Sequence, residues 1–459
     1  MIKNNLIVLL TTFIVILKIQ ANERPNVLFI VIDDLNNYIS LLQNYPGIKT
    51  PNLDKFSKSA MSFSHGYSNG VACRPSRNSL LSGIPPHLTG SYKNNQRAKF
   101  PQNVSMLAKQ FQLNGYSTFG AGKIYDDREG ITGQWNYQGK KHYGPMPHKR
   151  NINKQFGLPN MFDYGIWKKK EIAFADSANA NAIGRWLNQN HQKPFFIAYG
   201  MIRPHNPWTA PKRFFDMYPI ESLVMPEVRA NDMDDLPPAA VKMAHNFLGL
   251  NKADVINFMQ SPHYKKTVQA YLASISFMDY NLGRVLHALD KSLYKKNTIV
   301  SLVADHGYHM GEKEHFGKYG LWEQTTHIAY AWRVPGLTPE KGSVCERTVS
   351  LLDIYPTYID LCNLSAPPQQ DMMHGKSITS LLGNPRAEWD RPVVSTYGFN
   401  NHSVRSERWR YTRYDNGDEE LYDHKKDPRE WKNLASNPEY TAVKEQLKIY
   451  IPKKNTPPS

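Results

Sequence analysis

Asp33 and Asp34 stand side by side at the end of one apolar run, and Asp305-His306-Gly307 ends another. Adjacent carboxylates suggest a hard cation, because calcium gathers several oxygen ligands. Either pair alone reads as a solvated strand end or a helix cap; together, at strand ends where a sheet would gather them, they point to a metal site, although His306 weighs against calcium on ligand type. Lys123 in GAGK, His205 in MIRPHNPW and Lys318 in EHFGKYG form a second set. Each alone reads as a surface residue. Together they suggest a pocket for a tetrahedral oxyanion, which needs several donors to take up developing charge. The third feature is GVACRPSRNSLLSG, Gly70 to Gly83. A thiolate at Cys73 beside Arg74 and Arg77 would have a lowered pKa and act as a nucleophile; the alternative is a small buried side chain. No cysteine-protease arrangement of His and Asn surrounds it, and thiol chemistry does not explain Pro75, Ser76 and Arg77.

The elements that must position these residues are legible. NVLFIVIDD reads as a buried parallel strand with carboxylates at its C-terminal end, and NTIVSLVADHG as another. YSTFGAGK, PFFIAYG and HIAYAWRVPG are further strands. Asn103 is a candidate cap for a helix stopped by Gly115, and Asp176 for a helix running to Gln189. Val268, Leu272, Ile275, Met278, Leu282, Val285 and Leu289 form one helical stripe. VSLLDIYPTYIDL reads as a helix with Pro356 inside it. Strands alternating with helices imply an α/β fold with a large, mostly parallel sheet, and ligands bind at the C-terminal strand ends of such sheets. After about Asn384 the texture changes to short strands joined by polar turns. We therefore expect a catalytic domain over 24–384 and a small antiparallel α+β subdomain over 385–459. Segment 125–175 has no clear period and reads as an inserted loop.

Residues 1–21 carry Lys3, an apolar run from Leu6 to Leu17 and Ala21, the pattern of a cleaved signal peptide. The alternative, an uncleaved anchor, requires a longer span. The expectation is a soluble mature protein, secreted or periplasmic, with no stable membrane insertion. The net charge of +16 suits a polyanionic partner. Nucleic acid is set aside, because there is no basic helix with interleaved aromatics and no zinc-finger spacing; an acidic or sulfated polysaccharide fits an exported protein. Of the three cysteines, Cys345 and Cys362 are either a disulfide or two buried thiols, which leaves Cys73 over.

Cys73, Pro75, Ser76 and Arg77 match the Cys-x-Pro-Ser-Arg signature of the formylglycine-dependent sulfatases of the alkaline phosphatase superfamily, extended by LLSG to Gly83. NVLFIVIDD, GYSTFGAGK, RPHNP, VADHG and GKYGLWEQTTHI follow in that family's order. DDLN, PHNP, MYP and DHGYHMGE make the chain most similar to the iduronate-2-sulfatase-like subgroup. The resemblance implies that a maturation enzyme oxidises Cys73 to formylglycine, whose hydrate offers one hydroxyl to attack sulfur and a second to expel sulfate. It implies a calcium ion held by Asp33, Asp34, Asp305, His306 and residue 73. Arg77 would hold the hydrate, Lys123 and Lys318 the sulfate oxygens, and His205 would protonate the leaving alcohol. The subgroup's histidine three residues after the GK lysine is Asp126 here. Asp126 would still accept a hydrogen bond from the hydrate, His142 or His148 would enter from the loop, or activity is weakened. The expected function is hydrolysis of sulfate esters on a carbohydrate, a sulfated polysaccharide or its oligosaccharides. The alternatives are a phosphate or phosphonate monoester hydrolase of the same superfamily and a weakly active sulfated-glycan-binding protein.

Overall fold

The computed structural model describes residues 24–42, 45–125, 133–139, 162–245 and 252–459. Residues 1–21, expected to be a signal peptide, and Asp126, His142 and His148 lie outside the described residues. The main sheet has eight strands: β1 (Asn26–Ile32), β2 (Met61–Tyr67), β3 (Ser117–Gly122), β4 (Tyr137–Gln138), β5 (Phe195–Met201), β6 (Thr298–Ala304), β7 (Tyr330–Arg333) and β8 (Ser343–Ser350). Their order is β8-β2-β7-β6-β1-β5-β3-β4. All pairs are parallel except those of β7, which runs antiparallel to both β2 and β6. Every residue of β1, β5 and β6 is buried, which explains why these strands read as unbroken apolar runs rather than as alternating ones.

Both faces of the sheet are covered. Phe29 and Phe196 meet Tyr358 and Phe111 from the helices Ile354–Cys362 and Leu107–Leu113. On the other face Phe119 meets Trp186 of the helix Ala175–Leu187, which packs on the long helix Pro262–Lys291. A second, wholly antiparallel sheet follows in chain order: β9 (Val393–Thr396), β10 (His402–Arg405), β11 (Trp409–Arg413) and β12 (Glu419–Asp423). Strand β9 is tied to the segment just before Cys73: Thr396 N–H donates to Asn69 O at 3.0 Å and Ser395 Oγ to Ser68 O at 2.5 Å.

Several local expectations change. Asn103 does not cap a helix, because that helix starts after Met106. Asp176 lies inside its helix, with Phe174 at the N-cap, because its carboxylate is taken by a loop. Val349 and Ser350 finish β8; Ser350 and Asp353 then form a capping box, and Pro356 falls in the first turn of the helix that follows, where a missing N–H costs little. Segment 125–175 is not featureless: Tyr137–Gln138 joins the main sheet, and Tyr164–Trp167 pairs in parallel with Trp208–Pro211. These strands are too short to show a period in sequence. Cys345 and Cys362 are buried free thiols, not a disulfide.

Candidate active site

Three strands end together. Asp33 and Asp34 follow β1, Asp305 and His306 follow β6 and Lys123 follows β3, and all five are buried. Asp34 takes a left-handed backbone conformation (φ 58°), which an aspartate tolerates better than most residues. Its N–H donates to Asp305 Oδ1 at 3.2 Å, and its carbonyl accepts from Tyr271 of the long helix at 2.8 Å. Lys123 is carried by the close approach of β3 to β5. Gly122 sits at φ 77°, and a Cβ on Gly200 would lie 1.9 Å from the Lys123 carbonyl oxygen.

Cys73 opens the helix Cys73–Ser82. Pro75 occupies its first turn, and Gly83 closes it in the left-handed conformation that glycine adopts without steric cost. The helix places residue 73 at a positive dipole end. Ser76 Oγ donates to Asp305 O at 2.6 Å, and Arg77 Nε to Asp305 Oδ2 at 2.8 Å. Arg77 also reaches Asp33 Oδ1 at 3.2 Å and the Lys123 carbonyl. Arg74 turns away: its N–H donates to Asn94 Oδ1 at 2.9 Å and its guanidinium to Gln96 O at 3.1 Å.

The side chains form one ionic cluster. Lys123 Nζ lies 2.6 Å from Asp33 Oδ2. Lys318 Nζ lies 2.7 Å from Asp34 Oδ1 and 2.9 Å from Cys73 Sγ. His205 Nε2 is 3.7 Å from Asp34 Oδ2, and His306 Nε2 is 3.5 Å from Asp34 Oδ1 and 3.7 Å from Asp305 Oδ2. The structure therefore brings together Asp33, Asp34, Cys73, Arg77, Lys123, His205, Asp305, His306 and Lys318. Burial opposes ionisation of Asp33, but Lys123, His205, Arg77 and Lys318 outweigh it and hold the carboxyl well below its usual range. Burial and Asp33 push the Cys73 thiol up; Lys123 and Lys318 pull it further down, to well below its ordinary value. Lys123 and Lys318, rather than the chain neighbour Arg74, are the cations that act most on the thiol.

A cation fits this set. Donor atoms of Asp33, Asp34, Cys73 and His306 lie within 4.8 Å of one another. His306 Nδ1 lies 2.9 Å from the carbonyl of Gly307, to which it donates, so Nε2 is the atom left for a ligand. Asp34 Oδ2 and His306 Nε2 are both buried without a hydrogen-bond partner. Burial disfavours the His306 imidazolium, but Asp305 and Cys73 raise it to about 9, a proton that a bound metal would replace.

The family model described as Sulfatase matches residues 25–364. The chain belongs to the sulfatase family. It is a type I sulfatase of the alkaline phosphatase superfamily, a sulfuric ester hydrolase. A second model, N-sulphoglucosamine sulphohydrolase, C-terminal, matches residues 311–456. The sulfatase is 36% identical over 452 residues to a protein named "Sulfatase" from Formosa agariphila, covering 94% of this chain and 87% of that one. It is 26% identical to an ulvan-active sulfatase of the same organism (94% and 81% covered) and 25% identical to human iduronate 2-sulfatase (86% and 86%). Its fold matches a phosphonate monoester hydrolase of Agrobacterium radiobacter at TM-score 0.77, with 21% identity and 93% and 94% of the two chains covered. No helix among the described residues is long and apolar enough to cross a membrane.

Sequence reasoning missed the residues that hold this sulfatase's site in place. Asp176 accepts N–H bonds from Ile202 at 2.8 Å and Arg203 at 2.9 Å, and so fixes the loop that carries His205. Arg203 closes the same loop onto Thr209 O at 3.1 Å and His205 O at 3.1 Å. The Arg-Pro-His-Asn-Pro spelling was the available signal, but only its histidine was read as chemistry.

Proposed function

We propose that the protein is a calcium-dependent, formylglycine-bearing sulfatase that removes sulfate from a carbohydrate, a sulfated polysaccharide or its oligosaccharides. The relatives named for ulvan and for iduronate 2-sulfate support the carbohydrate class. Export follows from the sequence pattern of residues 1–21.

The supporting observation is the buried cluster around residue 73. Its three carboxylates are matched by Arg77, Lys123 and Lys318, so an added divalent ion leaves a positive centre for a sulfate group. Asp33, Asp34, Asp305 and His306 would hold calcium with residue 73, and the ion would polarise the sulfate. Formylglycine at position 73 would supply a hydrated aldehyde, with one hydroxyl to attack sulfur and one to expel sulfate. Lys318 lies against residue 73 and Lys123 against Asp33, and both would take the sulfate oxygens. Arg77 is fixed by Asp33 and Asp305 to orient the hydrate. His205 Nδ1 meets the carbonyl of Asn206 at 2.5 Å and donates to it, so Nε2 is the atom that gives a proton to the leaving alcohol. The charge of +16 gathers polyanionic substrate.

The test is protein made with and without a formylglycine-generating enzyme. Maturation lowers the mass of the Cys73 peptide by about 18 Da, which no common thiol oxidation does, and turnover of 4-nitrophenyl sulfate should follow the matured fraction. Equal turnover by both preparations would overturn the reading. A screen of defined sulfated glycans then identifies the sugar. The likeness to a phosphonate monoester hydrolase motivates a second reading: faster turnover of a phosphonate monoester such as phenyl phenylphosphonate than of phenyl sulfate would favour it.

A further inference from the structure

A hollow of about 540 Å³ opens between the loop after the Cys73 helix, the helix Pro238–His245 and the antiparallel sheet. Lys93, Lys242, Tyr397, Phe399, Asn401 and Asp415 are among its walls. Its size is that of a small-molecule or sugar site.

Two physical links join it to the cluster. Tyr319 follows Lys318 and stacks on Tyr397, with ring centroids 5.4 Å apart and planes 25° apart. Its backbone is at φ 81°, a left-handed conformation that costs a bulky side chain steric strain and persists only where the surroundings impose it. What imposes it here is visible: Tyr319 N–H donates to Val71 O at 3.1 Å, and its hydroxyl accepts from Asn94 Nδ2 at 3.1 Å. The second link is Arg74. It follows residue 73 and grips Asn94 and Gln96, while Gln96 Oε1 accepts the N–H groups of Tyr92 and Lys93 at 3.0 Å each. The loop that presents Lys93 is therefore anchored on Arg74, the chain neighbour of residue 73.

The chemistry of the walls is specific. Tyr397, whose ring also stacks on Tyr319, and Phe399 put aromatic surface into the wall, against which the C–H face of a sugar ring can pack. Lys93 Nζ lies 5.9 Å from the centroid of the Tyr397 ring, beside any such sugar. Lys242 is exposed on the facing helix. Asp415, the acidic wall residue, accepts from Asn400 Nδ2 at 2.7 Å. Two ammonium groups beside aromatic faces select an anionic carbohydrate.

We propose that this hollow holds the sugar next to the one carrying the scissile sulfate, and that Lys93 and Lys242 take that neighbour's carboxylate or sulfate group. The proposal rests on the sulfatase reading and deepens it: the substrate is an oligosaccharide with negative charge on adjacent residues. The experiment measures inhibition of 4-nitrophenyl sulfate turnover by an ulvan tetrasaccharide and, separately, by inorganic sulfate. In the matured wild-type enzyme the tetrasaccharide should bind at least about 10-fold tighter than sulfate. The double variant Lys93→Ala/Lys242→Ala, and separately Tyr397→Ala, should each cut that ratio about 10-fold. An unchanged ratio in both variants overturns the proposal, as does a wild-type enzyme that binds tetrasaccharide no better than sulfate. If matured wild-type protein turns over no aryl sulfate, the sulfatase reading fails instead. Calorimetric titration of the tetrasaccharide into wild type and double variant then still decides, with equal affinities counting against the hollow.

Discussion

Two buried ionic clusters among the described residues use the same kinds of side chain to different ends. At the strand ends, three carboxylates meet Arg77, Lys123 and Lys318. At the seam with the antiparallel sheet, Glu323 and Glu430 meet Arg410, Arg405 and His424. Both bring metal-ligating atoms within 4.8 Å of one another. They differ in what is left over. Glu323 accepts from Tyr67, Arg405 and Arg410; Glu430 accepts from Arg410, from the Glu323 N–H at 2.8 Å and from His424 at 2.9 Å. At the strand ends, Asp34 Oδ2 and His306 Nε2 have no hydrogen-bond partner. A cluster that satisfies its own charges joins two layers. One that leaves buried donors and acceptors unsatisfied is prepared for a guest.

Four experiments break or sharpen this contrast. The largest effect is expected from Cys73→Ala. Sulfate release should fall about 10⁴-fold or more, as when a nucleophile is removed, while the melting temperature stays near that of the wild type. Retained turnover would mean that residue 73 does not react. Glu430→Gln should do the reverse. It leaves the fully buried Arg410 short of a counter-charge and should cost about 3–5 kcal/mol in denaturant unfolding, with turnover per folded molecule preserved. A mild loss would show that the seam is not the tight network described here. Asp34→Asn should weaken calcium binding, followed by calorimetry, by about 100-fold or more, whereas Glu323→Gln should leave it alone. Calcium binding that tracks Glu323 would reverse the assignment of the two clusters.

The smallest effect is in pH. Burial opposes ionisation of Glu323, but Arg405, His424 and Arg410 hold its carboxyl well below the usual 4.5; Arg410 and His424 hold Glu430 down against burial in the same way. A depressed carboxyl contributes stability that is complete above its unfolded value and is lost as pH falls through the folded one. The gap in melting temperature between wild type and Glu323→Gln/Glu430→Gln should therefore be widest above pH 4.5 and narrow below it. A constant gap would show that packing, not charge, carries the seam.

The strand-end cluster is largely legible in the sequence, because each member sits just beyond a buried strand or belongs to a recognisable motif. Asp33, Asp34, Lys123, Asp305 and His306 are placed by the sheet, and strand ends are read from apolar runs. The seam was illegible. Glu323, Arg405, Arg410, His424 and Glu430 come from short elements with no shared period, and their pairing depends on how one sheet docks on another. Asp176 is hidden for a related reason: an aspartate at a helix start reads as a cap, and the hydrogen bonds it accepts from Ile202 and Arg203 are set by tertiary contact. Arg74 looked like an activator of the thiol because it is adjacent in sequence, yet its side chain points to the loop at Asn94 and Gln96.

Every residue of the Cys73–Ser82 helix is buried, and Ser76 and Arg77 are tied to Asp305, 229 and 228 residues further along the chain. On the proposed formylglycine reading, a signature so enclosed would have to be read while the polypeptide is still open. Oxidation of Cys73 would then be a race against closure of the sheet, decided once per molecule. A chain that folded first would keep its thiol, and maturation enzyme added to the finished protein would come too late.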